Sequence, residues 1–150
     1  LAIHLHELSE KVPQELKEAS CRTCVSRAYY AVFLLIRDPM LGQIQSTDFR
    51  ESFKRSEVAH AVVVETVKKI DYKVGNFILN LRRLRNEADY ETDKVFSPSD
   101  VSYALRIAGE VIRNLAMTIS KIHKLQERDI LSTWKEVQEK RARKKSQLPI

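Results

Sequence analysis

Six residues that can bind or orient an anion fall within nine positions: Arg82, Arg83, Arg85, Asn86, Asp89 and Tyr90. Guanidinium groups fit phosphate as a two-pronged fork, so the cluster suits a phosphodiester. At about 100° per helical residue, Val74, Phe77, Ile78, Leu81, Leu84 and Ala88 form one apolar arc, and Arg85 falls inside it. An unpaired guanidinium buried there costs roughly several kcal/mol. Arg85 therefore needs a carboxylate, a cleft or a subunit interface. Asp89, one turn on, can pair with it. The plainer alternative is an Arg85–Asp89 pair that only closes the helix end.

Other constellations carry less chemistry. His60 lies near Val58 and Val62 on a predicted helix. It reads as a half-buried, hydrogen-bonded histidine that approaches Arg85 if its helix and the arginine helix are antiparallel neighbours. His4 and His6 are two apart and face different sides of a helix, which is not metal-pair spacing. Cys21-x-x-Cys24 lacks a second pair and a strand-to-helix setting, so neither metal nor cofactor is expected. There is no glycine-rich phosphate loop and no G-x-S-x-G elbow. Tyr29 and Tyr30 read as core or dimer-interface residues.

The elements that must hold these residues are helical. A first helix is predicted over Leu1 to about Val12, and a second from Gln14 to about Arg37, stopped by Asp38-Pro39. The second is apolar most of the way round, as in a helix buried centrally or covered by a partner. A third runs from Asp48 or Glu51 to Ile70, and a fourth from about Val74 to Tyr90, after a break at Asp71 to Gly75. Ser97-Pro98-Ser99-Asp100 is a strong start for a fifth helix reaching at least Leu125 without a breaker. Trp134 and Val137 either extend it or belong to a tail helix. The fold class is thus all-α, an up-and-down bundle of about five helices (1–125) with a basic extension (126–150).

Composition agrees. The chain has 150 residues, enough for a single core, and only three Gly, four Pro and two Cys, which argues against a loop-rich β fold or a disulfide scaffold. The longest apolar run, Ala28 to Ile36, is far short of a membrane span. With no basic-then-apolar leader in the sequence, the expectation is a cytoplasmic protein with no membrane partner. The formal charge is +6, and Lys135 to Lys145 carries +4 of it: six basic residues against Glu136 and Glu139. Such a segment is either a solvated helix or a contact for a polyanion such as RNA.

Ser26-Arg27-Ala28-Tyr29-Tyr30-Ala31-Val32-Phe33, then Leu84-Arg85-Asn86-Glu87-Ala88-Asp89-Tyr90, then a long amphipathic helix, resembles the HEPN superfamily. The similarity is to small stand-alone prokaryotic members with an R-x-x-A-D-Y signature, over about residues 5–120. The resemblance implies a helical bundle that forms a homodimer, with motif arginines of both subunits lining a shared cleft. It implies a metal-independent endoribonuclease of toxin–antitoxin, phage-defence or CRISPR systems. It also implies a partner such as an MNT-type nucleotidyltransferase antitoxin or an effector-complex subunit. Carried over by position, Arg85 is the motif arginine, Asn86 its polar neighbour, and Tyr90 stands where catalytic members have histidine. Histidine, with a pKa of about 6.5, exchanges protons at neutral pH, whereas tyrosine, at about 10, is a poor base. Cleavage by the family route is therefore weakened or lost, while RNA binding survives through Arg85, Asn86 and Tyr90, assisted by Arg82, Arg83, Asp89 and His60. The alternative is a non-catalytic dimeric interaction module docking onto a nucleotidyltransferase or larger effector.

Overall fold

The computed structural model describes residues 13–147, so the helix expected over Leu1–Val12, with His4 and His6, lies outside the described residues. The described residues form seven α-helices and no strand: α1 Gln14–Leu41, α2 Thr47–Arg55, α3 Ala59–Ile70, α4 Tyr72–Tyr90, α5 Pro98–Arg113, α6 Leu115–Ile122 and α7 Glu127–Ser146. The described residues are thus an all-α bundle, divided more finely than the sequence predicts.

The break expected over Asp71 to Gly75 is Asp71 alone, and three further boundaries differ from expectation, each for a local reason. α1 does not stop at Asp38-Pro39 but continues to Leu41. Pro39 leaves the carbonyl of Leu35 without its donor, yet Leu35 is on an exposed face, and burial of Met40, Leu41 and Ile44 holds the last turn in place. The predicted third helix is two helices. Ser56 is extended (φ −87°, ψ 135°), and its Oγ accepts from the Val58 N–H at 3.0 Å, a local bond that competes with the helical ladder. The predicted fifth helix breaks at Asn114 (φ −96°, ψ 1°), whose amide donates to the Glu110 carbonyl at 2.8 Å. Its start is as expected: the Ser97 N–H and hydroxyl both donate to Asp100 Oδ2, at 2.9 and 2.7 Å, with Pro98 next.

α4 is the central element, packed against α1, α3 and α5. Its buried side chains are Val74, Ile78, Leu81 and Ala88, and full burial of each large aliphatic one stabilises by about 1.5–3 kcal/mol. Asp71 alone separates α3 from α4 and caps the latter, its Oδ1 accepting from the Val74 N–H at 3.2 Å and its Oδ2 pairing with Lys121 at 2.8 Å. Where the two helices meet, Gly75 lies so close to Lys68 that a Cβ would fall 2.6 Å from the Lys68 backbone nitrogen. α1 and α4 run antiparallel. Arg22 meets Glu87 and Ala88 near the end of α4, while Tyr30 meets Arg85 one turn earlier.

The basic extension is the helix α7. Ile130, Thr133 and Val137 are buried, Trp134 packs edge-on against Phe49 at 5.5 Å, and Lys69 reaches both Thr133 and Glu136. Among the described residues no helix is long and apolar enough to cross a membrane.

Candidate anion-binding cleft

Arg85 sits where the helical arc places it, and its side chain is only 16% exposed. Its Nη2 donates to the Tyr30 hydroxyl at 2.7 Å and its Nη1 to Asn86 Oδ1 at 3.1 Å. Nε lies 2.6 Å from Asp89 Oδ2, off the N–H axis, so the contact is an ion pair rather than a hydrogen bond. The guanidinium is also flanked by two rings, with Tyr30 and Tyr90 centroids at 5.2 and 5.1 Å. Burial would lower its pKa, but Asp89, Tyr30 and Tyr90 outweigh that and raise it, so Arg85 is always charged. Of its five guanidinium N–H groups, one on Nη2 is taken by Tyr30 and one on Nη1 by Asn86, and the buried Nε–H makes no hydrogen bond, which leaves one N–H on each terminal nitrogen for a ligand.

Arg85 lines a cleft of about 340 Å³. α4 supplies Arg82, Arg85, Asn86 and Tyr90; α1 supplies Tyr29; Glu57 and His60 come from the α2–α3 junction and α3; Arg141 comes from α7. His60 and Arg82 stand equally far in sequence from Asp71, on either side of it, and meet in the cleft because α3 folds back along α4. His60 is thus brought to the arginines, as an antiparallel pair of helices requires.

His60 is held on three sides. Its ring stacks on Phe33 at 4.1 Å, Tyr30 meets it edge-on at 6.0 Å, and its Nδ1 is 2.6 Å from the Tyr29 hydroxyl. Burial, then Arg82, Arg85 and Arg37, push its pKa down to about 4, so the ring is neutral at pH 7. Burial raises the pKa of Tyr29, which keeps its proton. When Tyr29 donates that proton to Nδ1, the imidazole carries hydrogen on Nε2 and is itself a donor for an anion.

Two expected residues lie elsewhere. Arg83 is exposed and outside the cleft, since two residues along a helix is about 200° of rotation from Arg85. Asp89 lines a second hollow with Arg22, Thr23, Ser26, Arg27 and Tyr30, so the Arg85–Asp89–Tyr30 cluster divides the two. Cys21 and Cys24 are buried in the core, and burial raises both thiol pKa values, opposite to what thiolate chemistry needs.

Nothing in the sequence marked Tyr29, Glu57 and Arg141 as cleft residues, Tyr30 as the partner of Arg85, or the role of Arg22. Arg22 donates to the carbonyls of Glu87, Ala88 and Lys94, pairs with Glu18 at 2.9 Å and covers the Phe96 ring. It thereby satisfies the last carbonyls of α4 with a cation, as the helix dipole favours, and fixes the Tyr90 end of the cleft.

The cleft is a cationic hollow with three arginines, one neutral imidazole and two tyrosines, against the single carboxylate of Glu57. Such a set has the charge and donors to bind a phosphate, and it contains one group, His60, whose pKa would rise if an anion neutralised the arginines. No family model matches the sequence, and no solved structure matches it. An uncharacterized protein of Methanocaldococcus jannaschii is 32% identical over 102 residues, and the chain spans 61% of that relative's length.

Proposed function

We propose that the protein is an RNA-directed helical domain of HEPN type that holds the RNA backbone in the Arg82–Arg85 cleft. The observation that carries this reading is Arg85: a permanently charged guanidinium, shielded within an apolar face and flanked by the Tyr30 and Tyr90 rings, with donors left over beside a cationic cleft. Arg85 contacts phosphate, Asn86 orients it, and Tyr90, 70% exposed beside it, supplies a hydroxyl or stacks on a base. If the RNA is cut, the route needs no metal. The 2′-hydroxyl attacks the adjacent phosphorus, the 5′-oxygen leaves, and a 2′,3′-cyclic phosphate remains. His60 is the one imidazole of the cleft available to move a proton. The protein acts as a homodimer in a toxin–antitoxin or defence setting, with a nucleotidyltransferase or effector subunit as partner.

The test is incubation of the purified protein with labelled RNA in EDTA, with binding measured at low salt. Arg85→Ala should weaken binding at least tenfold while the fold persists, and Arg85→Lys should recover only part, because the fork geometry is lost. Absence of both binding and cleavage overturns the reading.

A second reading follows from the internal partners that Arg85 already has. Asp89, Tyr30 and Asn86 already answer it, as expected for a structural arginine in an interaction module. Unfolding or loss of the dimer in Arg85→Ala favours that reading.

A further inference from the structure

Arg141 enters the cleft from outside the motif region altogether. It belongs to α7, beyond the segment that carries the resemblance, yet its side chain lines the same hollow as Arg82 and Arg85. α7 can deliver it because Val137, one turn earlier on the same face, is buried against the bundle. The contact Arg141 makes there is weak. Its Nη2 is 3.6 Å from Glu57 Oε2, and the Glu57 side chain is 91% exposed. An exposed pair of this kind contributes little, whereas a guanidinium on phosphate forms a charge-assisted fork.

The positive surface also continues past the cleft. Lys140, Arg141 and Lys144, against the single carboxylate of Glu65, border a groove between α7 and α3, and Lys145 joins Arg141 beside Val58. A lone phosphate would use only the Arg82–Arg85 wall. Cations from two helices, continuing along one of them, fit a chain of phosphates.

We propose that Arg141 is a second phosphate-contacting residue of the site, which exchanges Glu57 for the backbone of a single-stranded RNA that runs from the α4 wall onto the basic half of α7. This rests on the reading of the cleft as an RNA site. Glu57 acts as the resident anion: it faces Arg141 in the free protein and repels phosphate at the cleft mouth.

The experiment uses the whole chain and a fluorescent single-stranded RNA of about twelve nucleotides, with anisotropy titrations at several salt concentrations. The variants are Arg141→Ala, Glu57→Gln, Arg85→Ala and, as a control for charge alone, Lys135→Ala, which removes one exposed cation of α7 outside the cleft. Trp134 fluorescence checks that α7 stays docked in each. Arg141→Ala should weaken binding several-fold more than Lys135→Ala and flatten the slope of log affinity against log salt by about 0.7, the loss of one phosphate contact. Glu57→Gln should bind more tightly. If Arg141→Ala matches Lys135→Ala in affinity and slope, or Glu57→Gln gains nothing, while Arg85→Ala still loses binding, this inference fails and the RNA reading stands. If the unaltered protein does not bind, or Arg85→Ala binds equally well, the RNA reading fails and takes the inference with it.

Discussion

His60 reports on the cleft's electric field. In the free protein its pKa is down at about 4, through burial and then the arginines around it. A phosphate beside Arg82 and Arg85 cancels part of that field, so saturation with RNA should move the His60 midpoint upward in an NMR titration of its ring protons. An unmoved midpoint would place the RNA elsewhere. Stability should follow the same group. The unfolded chain protonates this histidine near its ordinary value, about 6.5, and the folded state resists until about pH 4. Between those values the unfolded state binds more protons, so the contribution is complete above pH 6.5 and is lost as pH falls toward 4. His60→Asn, whose oxygen can replace Nδ1 as the acceptor for Tyr29, should flatten urea stability across pH 6.5–4.5. Below that range carboxylates held below their usual pKa by partners, such as Asp71 with Lys121 and Glu136 with Lys69, add their own losses. At this scale the sequence showed Arg85 out of place, because a charge inside an apolar arc is visible from periodicity alone. It did not show Tyr29 with His60, or Tyr30 with Arg85. Those pairs are 31 and 55 residues apart, and nothing local marks them.

The α3–α4 hairpin is the element that aligns imidazole and guanidinium. Its tight point is Gly75, where even a methyl group would overlap the Lys68 backbone rather than a movable side-chain end. Gly75→Ala should therefore destabilise by about 1–3 kcal/mol in chemical denaturation, at the upper end because backbone must shift. It should also weaken RNA binding although it touches no ligand. Unchanged stability would mean that the α3–α4 crossing opens enough to take a methyl group. Helix existence was legible throughout the described residues from spacing and caps, Ser97-Pro98 above all. Helix continuity was not. Burial of Met40 and Leu41 carries α1 past Pro39, and the hydrogen bonds of Ser56 and Asn114 interrupt runs whose periodicity looked unbroken.

Across the whole molecule, α7 decides how much of the surface is one unit. Its apolar hold on the bundle comes from Ile130, Thr133, Val137 and the Trp134 contacts with Phe49 and Phe53, and Lys69 adds polar contacts to Thr133 and Glu136. Trp134 is the sole tryptophan, so its fluorescence reads the docking of α7 directly. Urea unfolding followed by Trp134 emission and by helical circular dichroism should coincide, as for one cooperative unit. An earlier fluorescence transition would make α7 a separately melting arm. The sequence marked the arm's charge but not its destination, since a row of lysines and arginines carries no address. That destination has a consequence for the life of a newly made chain. The walls of the cleft are translated in the order Tyr29, His60, Arg85, Arg141, so the motif arginines leave the ribosome well before the cation that completes their hollow. A polypeptide interrupted between Ile122 and Arg141 would carry the whole signature and still present its groove open along one flank.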